Sequence, residues 1–340
     1  MKLVSYLSDG HDQLALLVDG FLYNMDNLHP ELPGSIGMFL TYWEETCSPA
    51  AAVEKAIKEK RFLQNRGIPY EEVQMLSPVV FPSSLRDAYA FRRHIETLQK
   101  NKGEAMLPGF DQGPVFRFSN HHSVQGAGDI RCMPDHFEQL DFELEAAIVI
   151  CRHGRNIRAE HADEYIGGLM IMNNLSARTL RGEEMLPDAG PAKGMDFATA
   201  LGPALVTLDE LEQFEIPPKE NHIGKSWNIP MKCRVNGIVV SSGNLGDMDW
   251  TFAEIIERAS YGTDLVPGDV IGSGTVGTGC FLELNGTGRR NDPGYVEQWL
   301  KDGDTIELEI AGLGLLRNNI VAEEDDWSIL RQKKNRDEQD

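Results

Sequence analysis

The chain has 340 residues, enough to bury a substantial core in one large domain plus a small one, or in two domains. Its hydrophobic fraction of 41% and charged fraction of 25% are ordinary for a globular protein. A net charge of −21 argues against nucleic acid and anionic membrane surfaces as partners, while leaving a small anionic substrate open, since local cations suffice to hold one. No run of about 18 apolar residues is present, so no membrane-spanning helix is expected. The start, Met1-Lys2-Leu3-Val4-Ser5-Tyr6, lacks the apolar length and cleavage site of a signal peptide. Cys47, Cys132, Cys151, Cys233 and Cys280 are scattered, odd in number and free of any Cys-x-x-Cys. That speaks against zinc and disulfide frameworks and makes a reducing cytoplasm the default.

In chain order, residues 14–23 hold two short apolar runs around Asp19-Gly20, which predicts a hairpin. Residues 50–64 are rich in Ala, Glu and Lys and predict a helix. Residues 1–75 thus read as a small α+β unit, followed by a connector spaced by Pro69, Pro78 and Pro82. Residues 84–100 are compatible with a helix. On such a helix Asp87 and His94 face the same way, roughly 10 Å apart along the axis, and could line one cavity without touching. A surface Asp and a satisfied core His would have the same spacing.

From Asp141 the chain turns to strands. Asp141-Phe142-Glu143-Leu144-Glu145 alternates apolar and acidic residues and runs into Ala146-Ala147-Ile148-Val149-Ile150, predicting a strand over 141–150. Glu143 and Glu145 would share a face, with Cα atoms roughly 6.5 Å apart. Two such carboxylates are costly unless a cation or a proton sits between them. A hard-cation site satisfies them, and so does a solvated strand edge. A helix is expected to begin near Ala162. The run Met170 to Asn173 is an apolar strand turning polar, where Asn174 offers a carbonyl oxygen to a metal and Arg178 a planar fork to a carboxylate. A turn followed by a surface Arg is the plainer alternative. Lys193 beside Gly194 suits an anion-contacting loop as well as an ordinary one.

Further strands are expected at 204–208, 232–240, 269–272, 281–285 and 305–310, and a helix at 249–260. Residues Gly272 to Gly277 fit Gly-x-Gly-x-x-Gly. A dinucleotide fingerprint must open a helix after a strand, and Gly279 to Leu284 reads as another strand, so that function is rejected. The glycines then serve tight turns or close backbone approach to a ligand. Glu283 falls among apolar residues, where a buried carboxylate needs a partner. Residues 323–340 are almost all polar and read as a surface helix or frayed tail. Unevenly spaced strands do not make a regular βαβ series, so a β-rich α+β architecture is expected.

Taken in order, Asp-Phe-Glu-Leu-Glu, Met-Asn-Asn-Leu-Ser-Ala-Arg, Lys-Gly-Met-Asp, the stretch from Asn236-Gly237 to Asp247-Met248, and Pro-Gly-Asp-Val-Ile-Gly-Ser-Gly-Thr resemble the fumarylacetoacetate hydrolase family. The resemblance covers about residues 75–320. It implies an α+β, β-rich catalytic fold of mixed β-sheets (a β-sandwich roll) over 76–325, a small N-terminal α+β domain over 1–75, a polar tail over 326–340, and a homodimer. It also implies a divalent cation, Mg²⁺ or Ca²⁺ with Mn²⁺ as a further choice, held by Asp87, Glu143, Glu145 and Asn174. By the same resemblance His94 is the catalytic base, oriented by Glu283. Arg178 and Lys193 are the cationic groups on substrate oxygens, and Tyr89 and Thr275 are substrate contacts.

The implied activity is metal-dependent hydrolysis of a carbon–carbon bond in a 1,3-diketo acid, acylpyruvate or fumarylacetoacetate-like, as in aromatic amino acid catabolism. Two alternatives stand beside it. One is decarboxylation, hydration or isomerisation of a 2-oxo acid on the same scaffold. The other is a non-catalytic ligand-binding homologue. The family's usual metal-binding Asp is Asn174 here, which removes one formal charge. Arg181 and Met185 replace a Gln and a Tyr of the fumarylacetoacetase branch, which argues against fumarylacetoacetate itself as substrate.

Overall fold

Two apolar runs in mid-chain form the centre of the molecule. In the computed structural model, which describes residues 1–60, 67–186 and 190–331, the strands Leu144–Ile150 and Ile166–Asn174 are buried along their whole length. They pair antiparallel, Leu144 opposite Asn173 and Ile148 opposite Leu169. Continuous burial, rather than alternation, is what a strand covered on both faces requires. Outward on one side lie Thr199–Val206, Lys2–Ser8, His11–Val18 and Phe21–Asn24, and on the other Asp269–Gly272, Ser84–Ala88 and Phe116–Ser119. The N-terminal strands therefore extend the central sheet, with Leu3 opposite Leu205.

Both faces of this open sheet are covered. A second, five-stranded sheet packs on one face, where Met231, Leu308 and Leu316 join Ile148 and Ile171 in one apolar cluster. On the other face Ala147, Val149 and Met170 meet Phe39, Leu40 and Ala50 from the helices Ile36–Thr41 and Trp43–Lys58. The result is the expected sheet-rich α+β architecture. Among the described residues no helix is long and apolar enough to cross a membrane.

Several local expectations hold. Asp19 and Gly20, at φ of 50° and 81°, turn the hairpin expected over residues 14–23. The strands expected at 269–272 and 305–310 are present with those bounds, and the strand expected at 204–208 occupies Thr199–Val206. Residues 232–240 form a hairpin instead of one strand, turned at Asn236-Gly237, both with positive φ. The helix expected at 249–260 starts at Phe252. Thr251 caps it, accepting from the Glu254 amide while Glu254 reaches back to the Thr251 amide. The helix expected over 50–64 runs Trp43–Lys58, and residues 61–64 of that expectation lie outside the described residues. Near Ala162 a short helix ends rather than begins, spanning Ala159–Ala162. Of the polar tail, residues 332–340 lie outside the described residues.

Three corrections bear on the site. Residues 84–100 are not one helix: Ser84–Ala88 is a strand, parallel to Asp269–Gly272 with Asp87 opposite Gly272, and only Arg92–Lys102 is helical. Asp87 and His94 therefore do not share a helix face. Long-range pairing with a buried strand outweighs a local preference that was only permissive. Residues 141–150 are not one strand: Leu140–Asp141 pairs with Ser176–Ala177, and the main ladder resumes at Leu144. Glu143 sits in the break.

Residues 281–285 are helical, as the start of Phe281–Asn291. The cause is remote, because the Asp141 carboxylate accepts from the amides of Phe281 (2.7 Å) and Leu282 (3.0 Å), filling the helix N-terminus. The Gly-rich segment thus does join a strand to a helix. The dinucleotide reading fails for a different reason: the amides that would meet a phosphate are already occupied.

Gly274 in that segment has φ +81°, and a Cβ there would lie 2.2 Å from the Ala88 carbonyl oxygen. Gly274→Ala is expected to cost about 1–3 kcal/mol or more, read as a lower midpoint in urea unfolding. An unchanged midpoint would show that the loop tolerates another backbone path.

Candidate functional site

Four chain segments bring three acids and one amide together. Asp87 comes from the strand Ser84–Ala88, Glu145 from Leu144–Ile150, Glu143 from the break before it, and Asn174 from the end of Ile166–Asn174. Carboxylate oxygens of Asp87, Glu143 and Glu145 lie within 4.8 Å of one another, and all three residues are buried. Asp87 Oδ2 accepts from Arg117 Nη2 (2.6 Å) and from Asn174 Nδ2 (2.9 Å). Glu143 Oε1 accepts from Arg178 Nη2 at 2.9 Å, and its backbone is tied to the Asn173 side chain. Glu145 accepts from the Gly274 amide (3.2 Å) and the Thr275 hydroxyl (3.5 Å).

Two oxygens in this cluster, Asp87 Oδ1 and Asn174 Oδ1, are buried and without a hydrogen-bond partner. Buried acceptors left open beside three carboxylates fit a hard divalent cation, which binds oxygen only. Asn174 suits the set despite its missing charge, because its amide nitrogen donates to Asp87 while its carbonyl oxygen stays free. The electrostatics agree. Burial, reinforced by Asp87 and Glu143, pushes the Glu145 carboxyl well above the carboxylate range. Burial also raises Asp87, against the pull of Arg117. For Glu143 burial is outweighed by Arg178 and then Arg117, which hold it below its ordinary value. Where carboxylates crowd this closely, either a proton or a cation must offset their repulsion.

Beside the cluster lies a second pair. His94 is in the first turn of Arg92–Lys102, whose leading amide donates to Asp249 at 3.0 Å. His94 Nδ1 is 2.6 Å from Glu283 Oε2, and both residues are buried. The same Glu283 oxygen accepts from the Thr278 amide at 2.9 Å. Asn101 Nδ2, donating to the Glu283 carbonyl at 3.1 Å, ties the two helices together. With Nδ1 engaged, Nε2 is the nitrogen left for chemistry. His94 is near enough to add to the pull that keeps the Glu143 carboxyl low, behind Arg178, Arg117 and Arg181.

The remaining candidates divide. Thr275 touches Glu145. Tyr89 is half-buried within charge range of Arg117. Arg178 is buried but not open, because its guanidinium spans Asp141 (2.8 Å) and Glu143 (2.9 Å). Lys193 does not join the cluster: its side chain is 61% exposed and its ammonium pairs with Asp196 at 3.0 Å.

Sequence reasoning passed over Arg117 and Asp141. Each had a signal. Asp141 shares the odd-numbered parity of Glu143 and Glu145, and Phe116-Arg117-Phe118 alternates a base with aromatics.

An acid cluster with open oxygens, abutting a His–Glu pair on a mixed sheet, defines an enzyme site able to take a divalent cation. The chain belongs to the fumarylacetoacetate hydrolase family: the family model described as fumarylacetoacetate (FAA) hydrolase C-terminal matches residues 84–321. It is 29% identical over 307 residues to the human mitochondrial oxaloacetate tautomerase FAHD2B, covering 89% of this chain and 84% of that protein. It is 25% identical over 329 residues to the fumarylacetoacetase of Arabidopsis thaliana, covering 82% and 78%. Among solved structures, the fumarylacetoacetate hydrolase of psychrophilic Exiguobacterium antarcticum superposes with a TM-score of 0.67 at 24% identity, covering 95% of this chain and all of that one.

Two expectations follow from the site's charges. Arg117→Met, which strands Asp87 without its cation, should lower stability by about 3–5 kcal/mol in urea unfolding without added metal. A loss under 1 kcal/mol would mean the pair is not electrostatically important. His136, stacked on Phe197 at 4.0 Å, is held down to about 4 by burial and then by Lys193. Its folded pKa is depressed, so its neutral form stabilises the fold above the ordinary value of 6.5, and that contribution is lost as pH falls toward 4. The urea-midpoint difference between wild type and His136→Phe should therefore change between pH 6.5 and 4 and stay flat above 7.

Proposed function

We propose that the protein hydrolyses a carbon–carbon bond in a small 1,3-diketo acid, with His94 as general base. The observation that carries this reading is the 2.6 Å contact of His94 Nδ1 with Glu283 beside the acid cluster. With Nδ1 donating to a carboxylate, Nε2 is free to accept a proton, and Glu283 stabilises the imidazolium that forms. His94 takes a proton from water as the water oxygen bonds to the ketone carbon. The neighbouring carbon–carbon bond then breaks, its electron pair leaves as an enolate, and the imidazolium returns the proton to that carbon.

Asp87, Glu143, Glu145 and Asn174 are the residues that would hold Mg²⁺, Ca²⁺ or Mn²⁺. When bound, such an ion polarises substrate oxygens as a Lewis acid. In this reading Thr275 and Tyr89 contact the substrate from beside Glu145 and Arg117, and Lys193 meets its outer oxygens. Arg178 acts by holding Glu143. Arg181 and Met185 are the reason acylpyruvates head the substrate panel, ahead of fumarylacetoacetate. A reducing cytoplasm is the proposed compartment, supported by five unpaired cysteines. A homodimer is the proposed assembly, supported by the outer strand Ile238–Asn244 with Ile238 70% exposed.

A second reading, keto–enol isomerisation of a 2-oxo acid, is favoured by the name of the human relative. There His94 would move a proton to and from carbon, and water would take no part.

A panel of acylpyruvates, fumarylacetoacetate and oxaloacetate, assayed with Mg²⁺, separates these readings. Loss of enol absorbance with release of two acids supports hydrolysis. Loss without fragments supports isomerisation, and no turnover of any compound leaves a ligand-binding homologue. His94→Asn should lower kcat/KM by ~10²–10⁴, and full diketo-acid hydrolysis in His94→Ala would remove the assigned role. Asn174→Asp should tighten Mg²⁺ binding in calorimetry; unchanged affinity would take residue 174 out of the ligand set.

A further inference from the structure

Asp141 lies outside the acid cluster and outside the His–Glu pair, yet it is linked to each through one intermediary, Arg178 on one side and the start of a helix on the other. The residue is completely buried. Its Oδ2 accepts from Arg178 Nε at 2.8 Å, and the same guanidinium donates through Nη2 to Glu143 at 2.9 Å. Its Oδ1 accepts from the Phe281 amide at 2.7 Å and from its neighbour Phe142 at 2.9 Å, and its Oδ2 also accepts from the Leu282 amide at 3.0 Å. Phe281 and Leu282 open the helix Phe281–Asn291, and Glu283, in that first turn, holds His94. One carboxylate therefore lies one guanidinium away from the acid cluster and one helix turn away from the catalytic imidazole.

A buried carboxylate accepting several donors is fixed in place by them, and fixes them in return. Local sequence does not supply this restraint: Cys280, the residue before the helix, makes no side-chain cap bond. The first helical amides would be without a partner if Asp141 did not reach them. Nor is Arg178 held by anything weaker, since both of its partners are buried acids.

We propose that Asp141 is a positioning residue that sets the metal-ligand side and the proton-transfer side of the site to one another, by orienting Arg178 against Glu143 and anchoring the helix that carries Glu283. This rests on the assignment of the acid cluster as a cation site and of His94 as base. It adds that the two are mechanically linked through a group that touches neither substrate nor cation.

The test reads both sides without turnover. Manganese affinity, followed by the electron paramagnetic resonance of free Mn²⁺, reports the Glu143 side. The downfield proton resonance of the His94–Glu283 bond, assigned by its loss in His94→Gln, reports the other. Asp141→Asn, close in size, should weaken Mn²⁺ binding about 10-fold and broaden or abolish the resonance at temperatures well below unfolding. Arg178→Lys should change the metal arm alone. Ser260→Ala removes a buried hydrogen bond to the Ile157 amide and should lower stability while leaving both signals in place.

If Asp141→Asn does not fold, Asp141→Glu, which keeps the charge but displaces it, should give the same pair of changes in milder form. An Asp141 variant that leaves either signal unchanged overturns the proposal, as does Ser260→Ala moving both. Wild-type protein that fails to bind Mn²⁺ defeats the cation reading instead, and the His94 resonance then decides the Asp141 question by itself.

Discussion

Gathering carboxylates where water is excluded is the constraint on which the rest of this structure depends. Asp87, Glu143 and Glu145 occupy one small volume, and Asp141 stands close behind them. Each would cost several kcal/mol if ionised and alone. Arg117 answers Asp87 and Arg178 answers the Glu143–Asp141 pair, which leaves Glu145 without a cation. The one uncompensated acid is the one whose affinity for a proton burial raises most clearly. A divalent ion would take over the part that proton plays, so the arrangement suits a cation without being held together by one.

Seen this way, Asn174 is more than a missing charge. A fourth carboxylate at that place would add repulsion to a cluster already short of cations, and could offer Asp87 nothing. The amide does two things at once, donating to Asp87 Oδ2 and keeping an oxygen free. Arg117 supplies the other donor to the same oxygen. The departure at residue 174 and the Arg on the neighbouring strand are thus parts of one electrostatic solution centred on Asp87.

How far the sequence could be read follows from the range of the forces involved. Alternation and apolar runs are local, so the central strands, the Asp19-Gly20 turn and the sheet-rich class are visible in them, while the Asn236-Gly237 turn was read through as strand. The acids of the cluster were nameable because the motifs carrying them are compact and keep their order. What misled was long-range. Ser84–Ala88 became a strand because a parallel neighbour was waiting for it. Phe281–Asn291 became a helix because Asp141, 140 residues away, filled its N-terminus. Arg117 and Asp141 escaped notice since nothing in their own segments says which buried charge they answer. Lys193 lies in the same kind of motif, with its side chain at the surface and paired with Asp196.

The engagement of Arg178 has a consequence for how an anionic substrate is gripped. A guanidinium bonded through Nε to Asp141 and through Nη2 to Glu143 keeps only the donors of Nη1 for a ligand. Other arginines add to these. Arg117 Nε and Arg181 Nε are both buried and unpartnered, and both residues act on the charge of Glu143. Buried donors without partners are as costly as buried acceptors, so an incoming carboxylate would relieve them just as a cation would relieve Asp87 Oδ1 and Asn174 Oδ1. In the proposed reaction the ends of the substrate are then told apart by charge. Its acid end would be drawn to the two arginines, and its ketone oxygens to the cation that the carboxylate cluster would hold.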